Sequence, residues 1–193
     1  MLTIINCSPK YKSNSKNFID KIINNIDDSF SIFNVYKDNF DTIINFINKS
    51  DKILFVYPLY VDTLPSKLIE FFEYLINNNI FLYNKKTYIL CNCGFLEASQ
   101  NDVSIELIKN IINNLDGMFM GYFKIGAGEV IGKLNNIFMK LLCFDYFYKI
   151  KRFSRCINYG KMVKLKATLN IFSKRLFCFL GNMAWNKKIG LNK

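Results

Sequence analysis

Five short apolar runs, most of them followed by an amphipathic helical pattern, constrain the fold of this chain more than any other feature. The runs are Leu2–Asn6, Phe30–Tyr36, Ile53–Tyr57, Thr87–Asn92 and Met118–Ile125. Helical spacing of apolar residues follows the first four runs, at residues 15–27, 38–49, 65–77 and 101–115. Because the connections are short, this alternation predicts an α/β fold with a five-stranded parallel sheet covered by helices on both faces.

The alternation stops near residue 130. Residues 133–150 and 162–180 both have an apolar helical pattern, interrupted near Asn158-Tyr159-Gly160, and Leu165, Leu169, Phe172, Leu176 and Leu180 fit one helical face. We therefore expect extra C-terminal helices that pack on or beside the sheet. A chain of 193 residues is most simply one domain, 1–193, with a core over 1–130 and a helical extension over 131–193.

Composition excludes several classes of protein. The 51% hydrophobic content excludes a disordered chain, and the absence of histidine removes the commonest metal ligand and the usual general base. No metal site and no catalytic acid–base residue is expected, so a bound cofactor would supply any chemistry. Without a secretory leader or a membrane-length apolar segment, the expected location is the cytoplasm, where the six cysteines stay thiols.

The positive charge is concentrated in the last third of the chain. Residues 1–132 contain 12 Lys/Arg and 14 Asp/Glu, whereas residues 133–193 contain 14 Lys/Arg and one acid, Asp145. This basic segment has three interpretations: a packed helix pair with a solvated outer face, a contact with an anionic membrane surface, or a landing patch for the phosphates of NADPH. Nucleic acid is not an expected partner, because no nucleic-acid-binding motif accompanies the charge.

The loop after the first apolar run carries hydroxyls, amides and lysines but no acid. Ser8, Ser13, Asn14 and Ser15 offer donors, and Lys10, Lys12 and Lys16 add positive charge. A loop of this kind that opens onto a helix N-terminus is suited to a phosphate. The alternative is a polar turn in which Ser13 or Ser15 caps the helix.

Two further loops follow neighbouring runs. Pro58 ends the third run and Pro65 opens the next helix, and between them Leu59, Tyr60 and Val61 offer an apolar wall for a flat aromatic ligand. The alternative is a turn that covers its own core.

After the fourth run, Gly94 permits close backbone approach, Phe95 could stack on a planar ligand and Asn92 could hydrogen-bond its edge. Cys91 and Cys93 are interpreted as small buried hydrophobic residues in preference to redox-active thiols.

The three loops together resemble those of the flavodoxin-like family of NAD(P)H-dependent FMN reductases. Members of that family often begin with a strand and a G-S-P-R-x-x-S-N-[ST] loop, which residues 7–15 match with Cys7 in place of glycine and Lys10 in place of arginine. The family's P-x-Y strand end and the helix start P-x-x-[LM]-K-x-[FL] correspond to Pro58-Leu59-Tyr60 and to a close variant at residues 65–72. Residues 93–97 and 126–129 are similar to its later loops.

The resemblance implies a flavodoxin-like three-layer sandwich with strand order 2-1-3-4-5. It also implies an FMN whose phosphate lies in the Ser8–Lys16 loop and whose ring lies against Pro58–Asp62 and Asn92–Phe95. The implied cofactor-binding residues are Ser8, Lys10, Ser13, Asn14, Ser15, Pro58, Leu59, Tyr60, Val61, Asp62, Asn92, Cys93, Gly94 and Phe95.

The activity implied by the resemblance is hydride transfer from NAD(P)H, as co-substrate, to FMN and then to a quinone, flavin or similar small-molecule acceptor, in a protein expected to form a homodimer. Two alternatives belong to other functional classes. One is a flavodoxin-type electron carrier. The other is a non-catalytic flavodoxin-like module whose basic tail binds a membrane or a protein.

Overall fold

The centre of the fold is one parallel sheet. The computed structural model describes residues 1–10, 12–60, 63–128, 131, 143, 145–169, 175, 178, 179, 182 and 190. The strands are β1 (Leu2–Asn6), β2 (Phe30–Asn34), β3 (Lys52–Pro58), β4 (Lys86–Asn92), β5 (Met118–Ile125) and β6 (Val163–Ala167), in the spatial order β2-β1-β3-β4-β5-β6.

Burial of the strands follows their place in the sheet. β1, β3 and β4 are central, and their runs of apolar residues are buried almost without interruption, as expected for strands that are covered on both faces. The edge strand β6 alternates instead, with Val163, Leu165 and Ala167 buried and Lys164 and Lys166 exposed. Charged residues on an exposed edge strand also discourage pairing with other chains.

Helices cover both faces of the sheet. They are α1 (Asn14–Ile23), α2 (Phe40–Lys49), α3 (Ser66–Asn77), α4 (Asp102–Asn114) and α5 (Tyr146–Asn158), and a 3-10 turn, Ala98–Asn101, precedes α4. The apolar sides of α1 and α5 share one hydrophobic cluster with the sheet, and those of α2, α3 and α4 share a second cluster on the opposite face. The predicted class and the predicted order of the first five strands are confirmed.

The predicted helix over 162–180 is wrong at its start, because residues Val163–Ala167 form β6, parallel to β5, and the sheet has six strands instead of five. The segment alternates apolar residues and lysines with a period of two, which fits a half-buried strand. The predicted helix over 133–150 corresponds in part to α5, which begins at Tyr146 and continues to Asn158. The rest of both predicted helices lies largely outside the described residues.

A glycine in β5 permits the sixth strand to pair. The register between β4 and β5 shifts between Thr87 and Tyr88, and Gly121 at this irregularity has a φ of +122°. A Cβ built on Gly121 would lie 1.8 Å from the carbonyl oxygen of Val163 in β6. Only glycine combines this backbone conformation with so close an approach of the next strand.

No described helix is long and apolar enough to cross a membrane. No group of three or more Cys, Asp or Glu side chains in the described part of the chain is arranged to hold a metal ion.

Candidate functional site

A cavity of about 360 Å³ lies at the carboxyl ends of β1, β3 and β4. This volume falls within the range of small-molecule sites, about 300–1,000 Å³. In the sheet, β2 lies on one side of β1 and β3 on the other, so the strand order reverses at β1. The cavity lies at this point, which is the usual position of a ligand in open α/β sheets. The described residues that line it include no acid: they are Ser8, Lys10, Lys12, Ser13, Asn14, Ser15, Pro58, Leu59, Tyr60, Asn92 and Gly94.

Side-chain amides hold the first loop in place at the end of β1. Asn6 Oδ1 accepts a hydrogen bond from the backbone N–H of Ser8 at 3.1 Å, and Asn34 Nδ2 donates to the carbonyl oxygen of Ser8 at 3.3 Å. The backbone N–H of Lys10 donates to Ser8 Oγ at 3.4 Å. These bonds place the Ser8 hydroxyl at the cavity wall before any ligand binds.

The N-terminus of α1 faces the cavity. Ser13 is the N-cap, in extended conformation, and its Oγ accepts a hydrogen bond from the N–H of Lys16 at 3.1 Å. Asn14 and Ser15 line the cavity at the first two helical positions, where backbone N–H groups have no acceptor within the helix. Positive charge comes from the N-terminal end of the helix dipole and from Lys10 and Lys12. Together with the free N–H groups, this charge makes this end of the cavity suited to an anion.

Cys7, at the position of the family's first loop glycine, does not obstruct the cavity. Its side chain is fully buried in the cluster beneath α2 and α3, and its Sγ lies 3.4 Å from the carbonyl oxygen of Ile5. Since the side chain turns into the core, the departure from the family pattern leaves the loop open.

The second loop forms a wall at the end of β3. Pro58 is the last residue of β3, Leu59 is 7% exposed and Tyr60 is 36% exposed, and all three line the cavity. Tyr60 and Thr63 exchange two backbone hydrogen bonds, of 3.2 and 3.0 Å, which close the loop on itself. Val61 and Asp62, also predicted here, lie outside the described residues.

Only half of the predicted third loop lines the cavity. Asn92 and Gly94 line it, whereas Cys93 and Phe95 do not. The Cys93 thiol is buried and accepts a hydrogen bond from Asn101 Nδ2 at 3.3 Å, and Phe95 is 51% exposed. A stacking role for Phe95 stays a prediction.

The glycine-containing loop after β5 supports the third loop from behind. The N–H groups of Ala127 and Gly128 donate to the carbonyl oxygens of Phe95 and Cys93, at 2.5 and 2.7 Å. Glu129, the last residue of this motif, lies outside the described residues. The described part of this loop therefore fixes the backbone of residues 93–95 and does not line the cavity.

Buried titratable groups beneath the cavity are held neutral. Burial raises the pKa of the Cys7 and Cys91 thiols far above the ordinary value. Burial also raises the pKa of the Tyr57 phenol, whose hydroxyl lies 3.0 Å from Ser104 Oγ. These groups are neither thiolate nucleophiles nor proton acceptors at neutral pH, which agrees with a site whose residues bind and orient.

Sequence reasoning missed three residues that shape the site. Lys12 lines the cavity but was treated only as nearby charge, and Asn6 and Asn34 were not singled out although they hold the first loop. The signal for Asn6 is a polar residue that ends an otherwise apolar strand. Nothing in the local sequence of Asn34 points to a contact with residue 8.

Comparison with known proteins agrees with the fold described above. No family model and no curated protein matches the chain. Solved structures are similar. An FMN-dependent NADH-azoreductase from Bacillus anthracis str. Ames Ancestor, solved in complex with FMN, is 17% identical, with a TM-score of 0.56 over 81% of this chain and 99% of that one.

Two other similar structures represent different functions on the same fold. An NAD(P)H:quinone oxidoreductase from Methanothermobacter marburgensis is 13% identical, with a TM-score of 0.57 over 80% of this chain and 94% of that one. A flavodoxin from Streptococcus pneumonia TIGR4 is 10% identical, with a TM-score of 0.60 over 82% and 97%. With the first five strands of its parallel sheet in the order 2-1-3-4-5 and these neighbours, the chain has a flavodoxin-like fold, in agreement with its resemblance to the NAD(P)H-dependent FMN reductase family.

Proposed function

We propose that this protein binds FMN and acts as an NAD(P)H-dependent oxidoreductase. The observation that carries the proposal is the two-ended cavity at the carboxyl ends of β1, β3 and β4. One end offers hydroxyls, amides, two lysines and a helix N-terminus, and the other offers Pro58, Leu59 and Tyr60. A ligand that joins a phosphate to a flat aromatic ring matches both ends.

Each end has a distinct part in the proposed binding. The loop Ser8–Lys16 and the first turn of α1 would hold the phosphate through side-chain hydroxyls and free helical N–H groups. Pro58, Leu59, Tyr60 and Gly94 would hold the ring, with the apolar wall excluding water from one side. Bound FMN would supply the hydride chemistry, from a nicotinamide to a quinone, a free flavin or a similar acceptor.

The absence of histidine is consistent with this proposal. Flavin chemistry needs no protein nucleophile or general base, and the buried thiols and phenol near the cavity are held neutral. Quinone and azo compounds, the substrates named for two of the similar structures, are candidate acceptors.

A flavodoxin-type electron carrier is the second candidate, since one similar structure is a flavodoxin. Carriers dock through acidic surfaces, whereas this chain has a formal net charge of +11. The charge therefore favours the reductase. Anaerobic addition of NADPH to the FMN-loaded protein separates the two candidates, because rapid bleaching of the flavin spectrum requires a reductase and slow or absent bleaching indicates a carrier.

A matched pair of substitutions tests the phosphate site. Asp and Asn are both good N-caps, so Ser13→Asp and Ser13→Asn each preserve the cap of α1. Only Ser13→Asp places a carboxylate against the phosphate, and we expect it to weaken FMN binding at least about 100-fold through like-charge repulsion. Ser13→Asn should bind FMN within a few-fold of the unchanged protein. Equal FMN affinities for the two variants, measured by quenching of flavin fluorescence, would place the phosphate elsewhere.

The outer face of α5 supports a proposal about partners. Tyr148, Lys151, Arg152, Arg155 and Tyr159 are exposed at positions i, i+3, i+4, i+7 and i+11, and therefore share one face of the helix. Cations interleaved with tyrosines suit the interface of an anionic membrane, and we propose such a membrane surface as a partner.

Sedimentation with vesicles tests this surface. We expect binding to vesicles that contain phosphatidylglycerol but not to pure phosphatidylcholine, and a loss of binding at high salt. Arg155→Glu should abolish it, whereas Lys49→Glu on the exposed end of α2 makes the same charge change and should not. Equal loss in both variants would indicate attraction by net charge alone.

We also propose a homodimer. Light scattering should then report about twice the chain mass of 22.6 kDa. A mass equal to one chain at all protein concentrations would reject it.

A further inference from the structure

Asn92 is hydrogen-bonded both to the second loop and to the first turn of α1. It is the last residue of β4, lines the cavity and is 4% exposed. Its carbonyl oxygen accepts a hydrogen bond from the N–H of Leu59 at 2.8 Å, which fastens the second loop to the end of β4.

The side-chain amide of Asn92 joins two more elements. Its Nδ2 donates to the carbonyl oxygen of Tyr57 at 3.2 Å and to Ser15 Oγ at 3.4 Å. Tyr57 belongs to β3, immediately before the ring wall, and Ser15 belongs to the first turn of α1, at the phosphate end. A primary amide has two N–H donors, and both have acceptors within the protein.

Gly128 packs closely against the Asn92 side chain. A Cβ built on Gly128 would lie 2.8 Å from Asn92 Cβ and 2.9 Å from Asn92 Oδ1. Those distances leave no room for a larger residue at 128 unless Asn92 moves. The loop after β5 therefore restricts the position of the Asn92 amide.

Given the FMN site proposed for this cavity, we propose that Asn92 is a positioning residue that sets the distance and orientation between the phosphate end and the ring end. It does so by hydrogen-bonding Ser15 and Tyr57 at once, and not by donating to the edge of the ring. A ligand that occupies both ends gains from having them pre-arranged, because the second end then binds at a high effective concentration.

The test compares a joined ligand with its two parts. FMN contains both the ring and the phosphate, riboflavin lacks the phosphate, and inorganic phosphate lacks the ring. In the protein freed of flavin, Asn92→Leu should lower the affinity for FMN about tenfold, the effect of losing one or two neutral hydrogen bonds. The affinities for riboflavin and for inorganic phosphate should each stay within about twofold.

Two further variants complete the experiment. Gly128→Ala keeps the Asn92 amide but displaces it, and should reduce the FMN-to-riboflavin affinity ratio in the same way even if Asn92→Leu fails to fold. Asn101→Leu is the matched control. Asn101 is fully buried, and its Nδ2 donates to Ala98 and Cys93, but the residue does not line the cavity. It should lower the melting temperature and leave the affinity ratio unchanged.

Any one of the following results would overturn the proposal. Equal losses for FMN and riboflavin would make Asn92 a ring contact or a purely structural residue. Loss of phosphate affinity equal to the loss for FMN would limit it to the phosphate end. If the unchanged protein binds FMN, and Asn92→Leu and Gly128→Ala leave the FMN-to-riboflavin affinity ratio unaltered, only the positioning role is rejected. Failure of the unchanged protein to bind FMN rejects the proposed function as well.

Discussion

Cys143 illustrates how burial controls the chemistry of single residues here. Its Sγ donates to the carbonyl oxygen of Thr168 at 3.1 Å, and burial raises the pKa of the thiol to about 12. At about pH 8 the Cys143 thiol therefore stays protonated, whereas the thiolate is the form that reacts. Burial holds the Cys7 and Cys91 thiols protonated in the same way.

The cysteines should therefore react with iodoacetamide in two groups. We expect Cys178, which is exposed, to be alkylated in the native protein, and Cys7, Cys91 and Cys143 to be alkylated only after unfolding. Raising the pH from about 7 to about 9 should still leave the buried thiols unmodified in the folded protein, because burial raises their pKa values. Peptide mass spectrometry measures both groups. Alkylation of Cys143 at the rate of Cys178 would contradict its burial.

Lys21 predicts a pH dependence of stability. Its Nζ is buried and has no hydrogen-bond partner among the described residues. It lies 5.3 Å from the centre of the Tyr146 ring, and burial lowers the pKa of the ammonium. The folded protein then binds fewer protons than the unfolded chain between the lowered pKa and the ordinary value of 10.5. The free energy of unfolding should therefore rise with pH through that window.

Lys21→Met keeps the apolar stem and removes the charge. We expect a gain of about 1 kcal/mol at neutral pH, because an unpaired ammonium no longer loses its hydration, together with loss of the alkaline rise. Urea unfolding between neutral and alkaline pH measures both effects. Lys49→Met, at an exposed lysine, is the control and should change neither. A less stable Lys21→Met protein at neutral pH would show that the contact with Tyr146 outweighs desolvation.

At the scale of elements, the pairing of β5 with β6 depends on Gly121. Gly121→Ala would force a Cβ against the carbonyl oxygen of Val163 at a φ of +122°. We expect the free energy of unfolding to fall by about 2–4 kcal/mol through strain and overpacking. Gly94→Ala is the control, since a Cβ there meets no atom of the described residues within 4 Å. Chemical denaturation of both variants, without flavin, measures the difference, and equal stabilities would refute the close approach of β6.

At the scale of the whole molecule, β6 adds a sixth strand to the five that were predicted. Val163, Leu165 and Ala167 share the hydrophobic cluster of α1 and α5, so a chain that ends at residue 161 loses part of that core. Compared with a chain that ends at residue 169, we expect it to be less stable by at least about 3 kcal/mol. Thermal unfolding of the two chains measures this. Equal melting temperatures would mean that β6 contributes nothing to the stability of the sheet.

The element order of the first 125 residues was predictable because it depends on local patterns. The predicted helix over 65–77 and the observed α3, Ser66–Asn77, differ by one residue at the start, and β1 has the predicted bounds. The segment at 163–167 was predicted wrongly because Leu165 and Leu169 also fit a helical face. This segment forms a strand because β5, with Gly121, offers an edge on which it can pair. That edge lies some 40 residues earlier in the chain, so the apolar pattern of residues 163–167 does not reveal it.

By itself the sequence determined the fold class and the residue types after each strand, because both follow from the spacing of neighbouring residues. The order of the first five strands was implied by the resemblance of the three loops to a known family. Only the tertiary structure decided which of those residues meet. Asn92 lines the cavity while its neighbours Cys93 and Phe95 do not, and Asn92 reaches Ser15 across 77 positions. Side-chain direction at a strand end is set by sheet register and by the loops packed behind it, and both involve residues far apart in the chain.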